Sequence, residues 1–187
     1  MNMDLGDTRA IVRECTRAGL TRPQAAYVLA TAYWETNRTM KPVREAYWLS
    51  EEWRRRNLRY WPYYGRGYVQ LTWLDNYKRA GEVFGVDLAG DPDKALEPEI
   101  AAKTLVVGSK EGWFTGKKLS DYITDEKIDW TNARRIINGT DKAKEIAAIA
   151  ADYDKALKAE GYGANWLSGL IAALVALLRG LIKRKTS

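Results

Sequence analysis

Tyr64-Gly65-Arg66-Gly67-Tyr68-Val69-Gln70-Leu71-Thr72, with Asn76-Tyr77 shortly after it, is the stretch that most constrains this chain. Its opening, Tyr63 to Gly67, carries two closely spaced glycines and reads as a tight turn. Tyr68 to Thr72 interleaves apolar and polar positions and is expected to be extended. On either side the patterns are helical. Asp7 to Ala18 reads as a helix capped by Asp7 and ended by Gly19. Thr21 and Gln24 form a capping box, with Pro23 in the first turn, for a second helix running through Leu29 to Trp34 and Glu35. Ser50-Glu51-Glu52 marks another helix start, within an aromatic- and arginine-rich stretch from Arg44 to Tyr60. Helical spacing returns over Asp75–Phe84, Pro98–Lys110, Thr131–Ile137 and Lys142–Glu160, punctuated by Asp91-Pro92-Asp93, Gly116 and Gly139. The expected fold is mainly α with a small β element.

Composition narrows the chemistry. The 187 residues suffice for one domain with a small appendage, and 46% hydrophobic residues suffice for a core. A formal charge of +6 favours an anionic partner such as nucleic acid, a membrane surface or an acidic wall polymer. There is no histidine, which removes histidine-based nucleophile systems and the usual zinc sites. The single cysteine, Cys15, allows no internal disulfide and reads as a buried thiol within its helix. Acid–base chemistry therefore falls to carboxylates, Lys or Tyr; no cofactor and no metal is expected.

Two glutamates suit that work. Glu35 stands beside Tyr33 and Trp34 at the end of an apolar helix, where partial burial and the helix's negative end both favour a protonated carboxyl. Glu45 follows Arg44, and nearby cations favour its ionised form. Each has an ordinary alternative: a solvated helix-end glutamate for Glu35, a surface ion pair with Arg44 or Arg54 for Glu45. Together they match what glycoside hydrolysis requires, one proton donor and one base. Glu51 and Glu52 are rivals better suited to the first turn of a helix. Eight Trp and eleven Tyr against two Phe favour rings with a polar handle, as sugar stacking would use. The same rings beside Arg54-Arg55-Arg56 and Arg59 would also suit single-stranded nucleic acid, but no motif supports that, and no nucleic-acid partner is expected.

The quoted stretch resembles the signature of glycoside hydrolase family 19, which comprises plant-type chitinases and related bacteriophage endolysins. Glu35-Thr36, Arg44-Glu45 and Arg135-Ile136-Ile137-Asn138-Gly139 are similar to further segments of that family in the same order, and Gly112-Trp113-Phe114-Thr115-Gly116 is similar to its phage members. The resemblance covers roughly Thr21 to Tyr162. It implies a lysozyme-like, two-lobed α+β fold with a central cleft and an inverting mechanism. Carried over, it makes Glu35 the general acid and Glu45 the general base. Thr72 would help to hold the attacking water, Gln70, Asn76 and Asn138 would bind the sugar chain, and Tyr64 and Arg66 would shape the cleft. The chain departs from the pattern after Glu35-Thr36, where the family usually has glycines and this chain has Asn37-Arg38.

Small size, positive charge and the absence of an opening secretory signal or disulfides favour peptidoglycan glycan strands over chitin as substrate. The expected role is that of a monomeric endolysin made in a host cytoplasm and released to the wall through a holin-type route. Residues 1–162 would form the catalytic domain. Residues 163–187 would form a hydrophobic, cationic C-terminal helix, with membrane contact expected through 166–185 or, alternatively, packing on the domain.

Overall fold

The helix that carries Glu35 runs through the centre of the molecule. The computed structural model describes residues 1–163. In chain order the elements are α1 (Thr8–Arg17), α2 (Arg22–Glu35), β1 (Val43–Arg44), α3 (Glu51–Asn57), β2 (Arg66–Gly67), α4 (Leu74–Phe84), α5 (Pro98–Glu111) and α6 (Ala143–Ala159). Short 3-10 turns fall at Pro92–Leu96, Leu119–Asp121 and Asn132–Ile136. Every residue of α2 from Ala25 to Ala32 is buried, so this helix has no solvent-facing side between its first and last turns. Its alanines let α6 approach closely, and α2 with α6 makes the most extensive helix–helix contact.

The core divides into two clusters. The larger joins Ile11 and Cys15 of α1, Leu29 of α2, Leu105 of α5, and Ile146 and Leu157 of α6. The smaller gathers Leu71, Tyr77, Ala80, Leu88, Ala95 and Ile100. Helix α5 supplies residues to both and thereby couples them. Truncating Leu29, which has no exposed surface, would remove about 2–5 kcal/mol.

Most helical expectations hold within a residue or two, but some caps do not. Asp7 makes no side-chain cap bond; its carboxylate accepts the Tyr68 hydroxyl at 3.0 Å. The Thr21–Gln24 box is half formed. The Thr21 N–H donates to Gln24 Oε1 at 3.1 Å, while the buried Thr21 hydroxyl has no partner. Ser50 caps α3 as expected, accepting from the Trp53 N–H at 3.1 Å.

The signature stretch folds differently from its reading. Its strand is Arg66–Gly67, paired antiparallel with Val43–Arg44, in the part expected to be a turn. The part expected to be extended turns back instead, so that Arg66 and Leu71 exchange backbone bonds at 2.9 and 3.2 Å. Tyr68 and Val69 are both buried although adjacent, which a one-sided strand does not allow.

The aromatic bias also separates into two causes. Tyr27, Tyr64, Tyr68, Tyr77 and Tyr153 are among the largest fully buried side chains. Several use the hydroxyl as an internal tether, as Tyr77 does to the Tyr64 carbonyl at 2.7 Å. These five tyrosines thus serve the core, whereas Tyr47, Trp48, Trp53, Trp61 and Trp73 are exposed. The expected C-terminal segment beyond Gly163 lies outside the described residues. Among the described residues no helix is long and apolar enough to cross a membrane.

Candidate active site

Glu35 is the last residue of α2, where the buried helix reaches the surface. Its Oε1 accepts from Nη1 of Arg134 at 2.6 Å, with 23% of the glutamate and 5% of the arginine side chain exposed. Arg134 sits on the 3-10 turn Asn132–Ile136, and its Nε also donates to the Asp141 carbonyl at 3.2 Å. The surroundings of Glu35 are therefore not simply apolar, as its sequence neighbours suggest. A buried cation faces it.

The next residues fix the helix exit. The buried Thr36 hydroxyl donates to the Ala32 carbonyl at 2.7 Å and accepts the Met40 N–H at 3.0 Å. Asn37, Arg38 and Met40 have φ of 48°, 67° and 54°. This left-handed conformation is the one glycine adopts freely and other residues adopt at a cost. The backbone at Asn37-Arg38 is thus one that suits glycine, the residue that the resemblance leads one to expect after Glu35-Thr36.

Glu45 directly follows β1. Its N–H donates to the Gly65 carbonyl at 2.7 Å, and its Oε2 accepts the Gly65 N–H at 2.9 Å. Oε1 accepts the Tyr60 hydroxyl at 2.7 Å. Burial, then the hydrogen bond to Glu45 and that residue's charge, push the Tyr60 phenol up to about 12, so it remains a donor at neutral pH. The carboxylate is held on both oxygens by neutral donors and keeps lone pairs for a water molecule. The alternative ion pairs do not form: Arg44 binds Asp93 and Arg54 binds Glu51.

The remaining residues singled out in the sequence, Asn138 apart, lie in one connected scaffold. Asn76 Nδ2 donates to the Thr72 carbonyl at 2.7 Å, and the Thr72 hydroxyl donates to the Gln70 carbonyl at 2.7 Å. Gln70 Nε2 donates to the Val43 carbonyl at 3.1 Å, two residues before Glu45. A Cβ on Gly65 would lie 2.5 Å from Gln70 Oε1, so a side chain here would displace the Gln70 amide. Tyr64 and Arg66 are 0% and 4% exposed. The Arg66 guanidinium lies 3.7 Å from the Tyr64 ring centroid and pairs with Asp93 at 2.8 Å, so both are held inside the protein and do not form an exposed surface. Asn138 is exposed just beyond the turn that carries Arg134, its Oδ1 accepting the Gly139 N–H at 2.8 Å.

Two residues of this network escape sequence reading, Arg134 and Tyr60, while Arg54 is read there only as a surface partner for Glu45 or part of a cationic run. Each lies in a segment dense with its own residue type, and only a distant partner distinguishes it from its neighbours. The arginine run is not a free cationic strip either, because Arg54 is buried while Arg55 and Arg56 pair with Glu52. Glu51 is a hub and not a free acid. Burial pushes its carboxyl up, but hydrogen bonds from Trp61, Arg54 and Tyr64 outweigh this and hold it below its ordinary value.

The glycoside hydrolase family 19 profile, described as chitinase class I, matches residues 10–118, more than half of the chain. The chain belongs to that family. It is 59% identical over 46 residues to chitinase 8 of Oryza sativa subsp. japonica, covering 24% of this chain and 18% of that protein. It is 50% identical over 88 residues to an endochitinase of Arabidopsis thaliana, covering 46% and 28%. The chain thus spans less than a third of the length of these relatives. Chitinase C from Streptomyces griseus shares the fold, with a TM-score of 0.58 at 23% identity over 73% of this chain and 60% of that one.

Proposed function

We propose that this chain is an inverting glycoside hydrolase that cleaves β-1,4 bonds of peptidoglycan glycan strands as a monomeric endolysin reaching the wall through holin-type release. The observation that carries the reading is the unlike support of two carboxyl groups ten residues apart. Glu35 leaves a buried helix against Arg134, and Glu45 is clasped by the Tyr60 hydroxyl and the Gly65 N–H.

In this mechanism Glu35 protonates the glycosidic oxygen, and Arg134 stabilises the resulting carboxylate. Glu45 takes a proton from water on the opposite face of the sugar, and the Thr72 hydroxyl oxygen accepts a bond from that water. Gln70, Asn76 and Asn138 line the path of the glycan, with Tyr64 and Arg66 behind it. The positive charge suits an anionic wall polymer. The names of the relatives favour chitin as a second reading.

Mass spectrometry of fragments released from purified peptidoglycan and from chitin oligomers distinguishes the two. Peptidoglycan cleavage with an inverted anomer in the fresh product is expected. Release from chitin alone would replace the first reading by the second. Glu45→Gln is expected to fold normally and lose most hydrolysis; wild-type-like clearing by that variant would refute the assignment of the base.

A further inference from the structure

Two rings beside Glu45 serve no visible purpose in the fold. Tyr47 and Trp48 are 61% and 71% exposed, more than any other large hydrophobic side chain among the described residues. They meet edge to face, with centroids 5.1 Å apart. Both occupy the tip of a turn closed by the Leu49 N–H on the Ala46 carbonyl at 2.9 Å. Turn tips ordinarily recruit Gly, Asn, Asp or Pro for conformational reasons. A Tyr-Trp tip has neither that reason nor burial to explain it.

The turn is nevertheless held firmly. Arg54, only 6% exposed, donates through Nη1 to the carbonyls of Glu45, Ala46 and Leu49 at 3.4, 2.8 and 2.9 Å. Its Nε reaches the Glu51 carboxylate at 3.0 Å, and Trp61 Nε1 and the Tyr64 hydroxyl fasten Glu51 in turn at 3.0 and 2.9 Å. Ala46 is kept at φ 48°. Burying a cation and straining a backbone both cost free energy. Here they fix a surface turn that presents Glu45 and two rings.

We infer that Tyr47 and Trp48 form a preorganised stacking platform for pyranose rings of an N-acetylhexosamine glycan, with Arg54 as the residue that positions it. An aromatic face meets the apolar C–H face of a sugar while the sugar hydroxyls stay in water, and a rigid platform loses little entropy on binding. The platform begins two residues after Glu45, and Arg54 fastens the backbone of Glu45 and of the turn together. The inference rests on the proposed role of Glu45.

The test uses full-length Glu35→Gln protein, which holds substrate without turnover. Binding to an N-acetylglucosamine hexasaccharide and to soluble peptidoglycan glycan fragments is followed by calorimetry. Trp48→Ala is expected to weaken binding about tenfold, Tyr47→Ala less, and Trp48→Phe to restore most of the loss. Melting temperatures should not change, because both rings are exposed. Loss on one glycan only identifies which source the platform reads. Unchanged affinity in Trp48→Ala, or no binding of either glycan by the parent, overturns the platform. Failure of the Glu45 assignment shows separately, as retained hydrolysis by Glu45→Gln in the otherwise native chain.

Discussion

Arg134 donates to Glu35 at 2.6 Å across 99 residues of sequence, joining the exit of the central helix to the turn before Asn138. Nearly all of the arginine is buried, so the pair is more than a surface contact. Glu35→Gln keeps an acceptor for it and should melt close to the parent while losing about 100-fold or more in hydrolysis. Glu35→Leu strands the guanidinium beside an apolar group and should lose about 3 kcal/mol in chemical denaturation. Equal stability of the two variants would show that Arg134 does not need this partner.

Tyr60→Phe should isolate the clasp on the base. The ring keeps its edge-to-face contact with Trp73 at 4.9 Å, and only the hydroxyl on Glu45 is lost. A hydrogen bond to a charged group contributes about 1.5 kcal/mol, so kcat should fall about tenfold with KM little changed. A rise in KM alone would assign Tyr60 to sugar binding.

Arg38 is exposed and held at φ 67°. Arg38→Gly should raise stability by about 1 kcal/mol, because relief of the left-handed strain exceeds the entropy glycine adds to the unfolded chain. A lower melting temperature would mean that the Arg38 side chain makes contacts worth more than the strain.

How far the sequence could be read follows from the range of each interaction. Helices were legible because their signals are local: Pro98 opens α5, and Ser50 caps α3. The strand was misplaced because Arg66–Gly67 is only two residues long and its partner lies more than twenty residues earlier. Ordered motifs single out Glu35, Glu45 and Thr72 as candidates. Arg134 and Tyr60 are not singled out, since nothing within a few residues of either shows that it faces a carboxylate.

Alkaline pH should unfold the protein through its tyrosines. Burial first, and for Tyr60 also the neighbouring Glu45, pushes Tyr60 and Tyr77 up to about 12, and burial likewise raises Tyr27, Tyr68 and Tyr153. A raised phenol stabilises the fold fully below the unfolded value of about 10, and that contribution disappears as pH climbs through the folded value. Melting temperature should therefore stay level through mildly alkaline pH and fall between about pH 10 and 12. A decline complete by about pH 9 would point to other groups.

The two-residue ladder of Val43–Gly67 and Arg44–Arg66 is all the sheet there is among the described residues, and Glu45 hangs from its end. Its β2 side is buried, so it is the half-buried β1 side, with Glu45 at its end, that can loosen while the helices stay packed. Warming should therefore silence the enzyme reversibly before circular dichroism registers any melting, with activity returning on cooling. The catalyst and the fold would then have separate thermal limits, the lower one set by four residues.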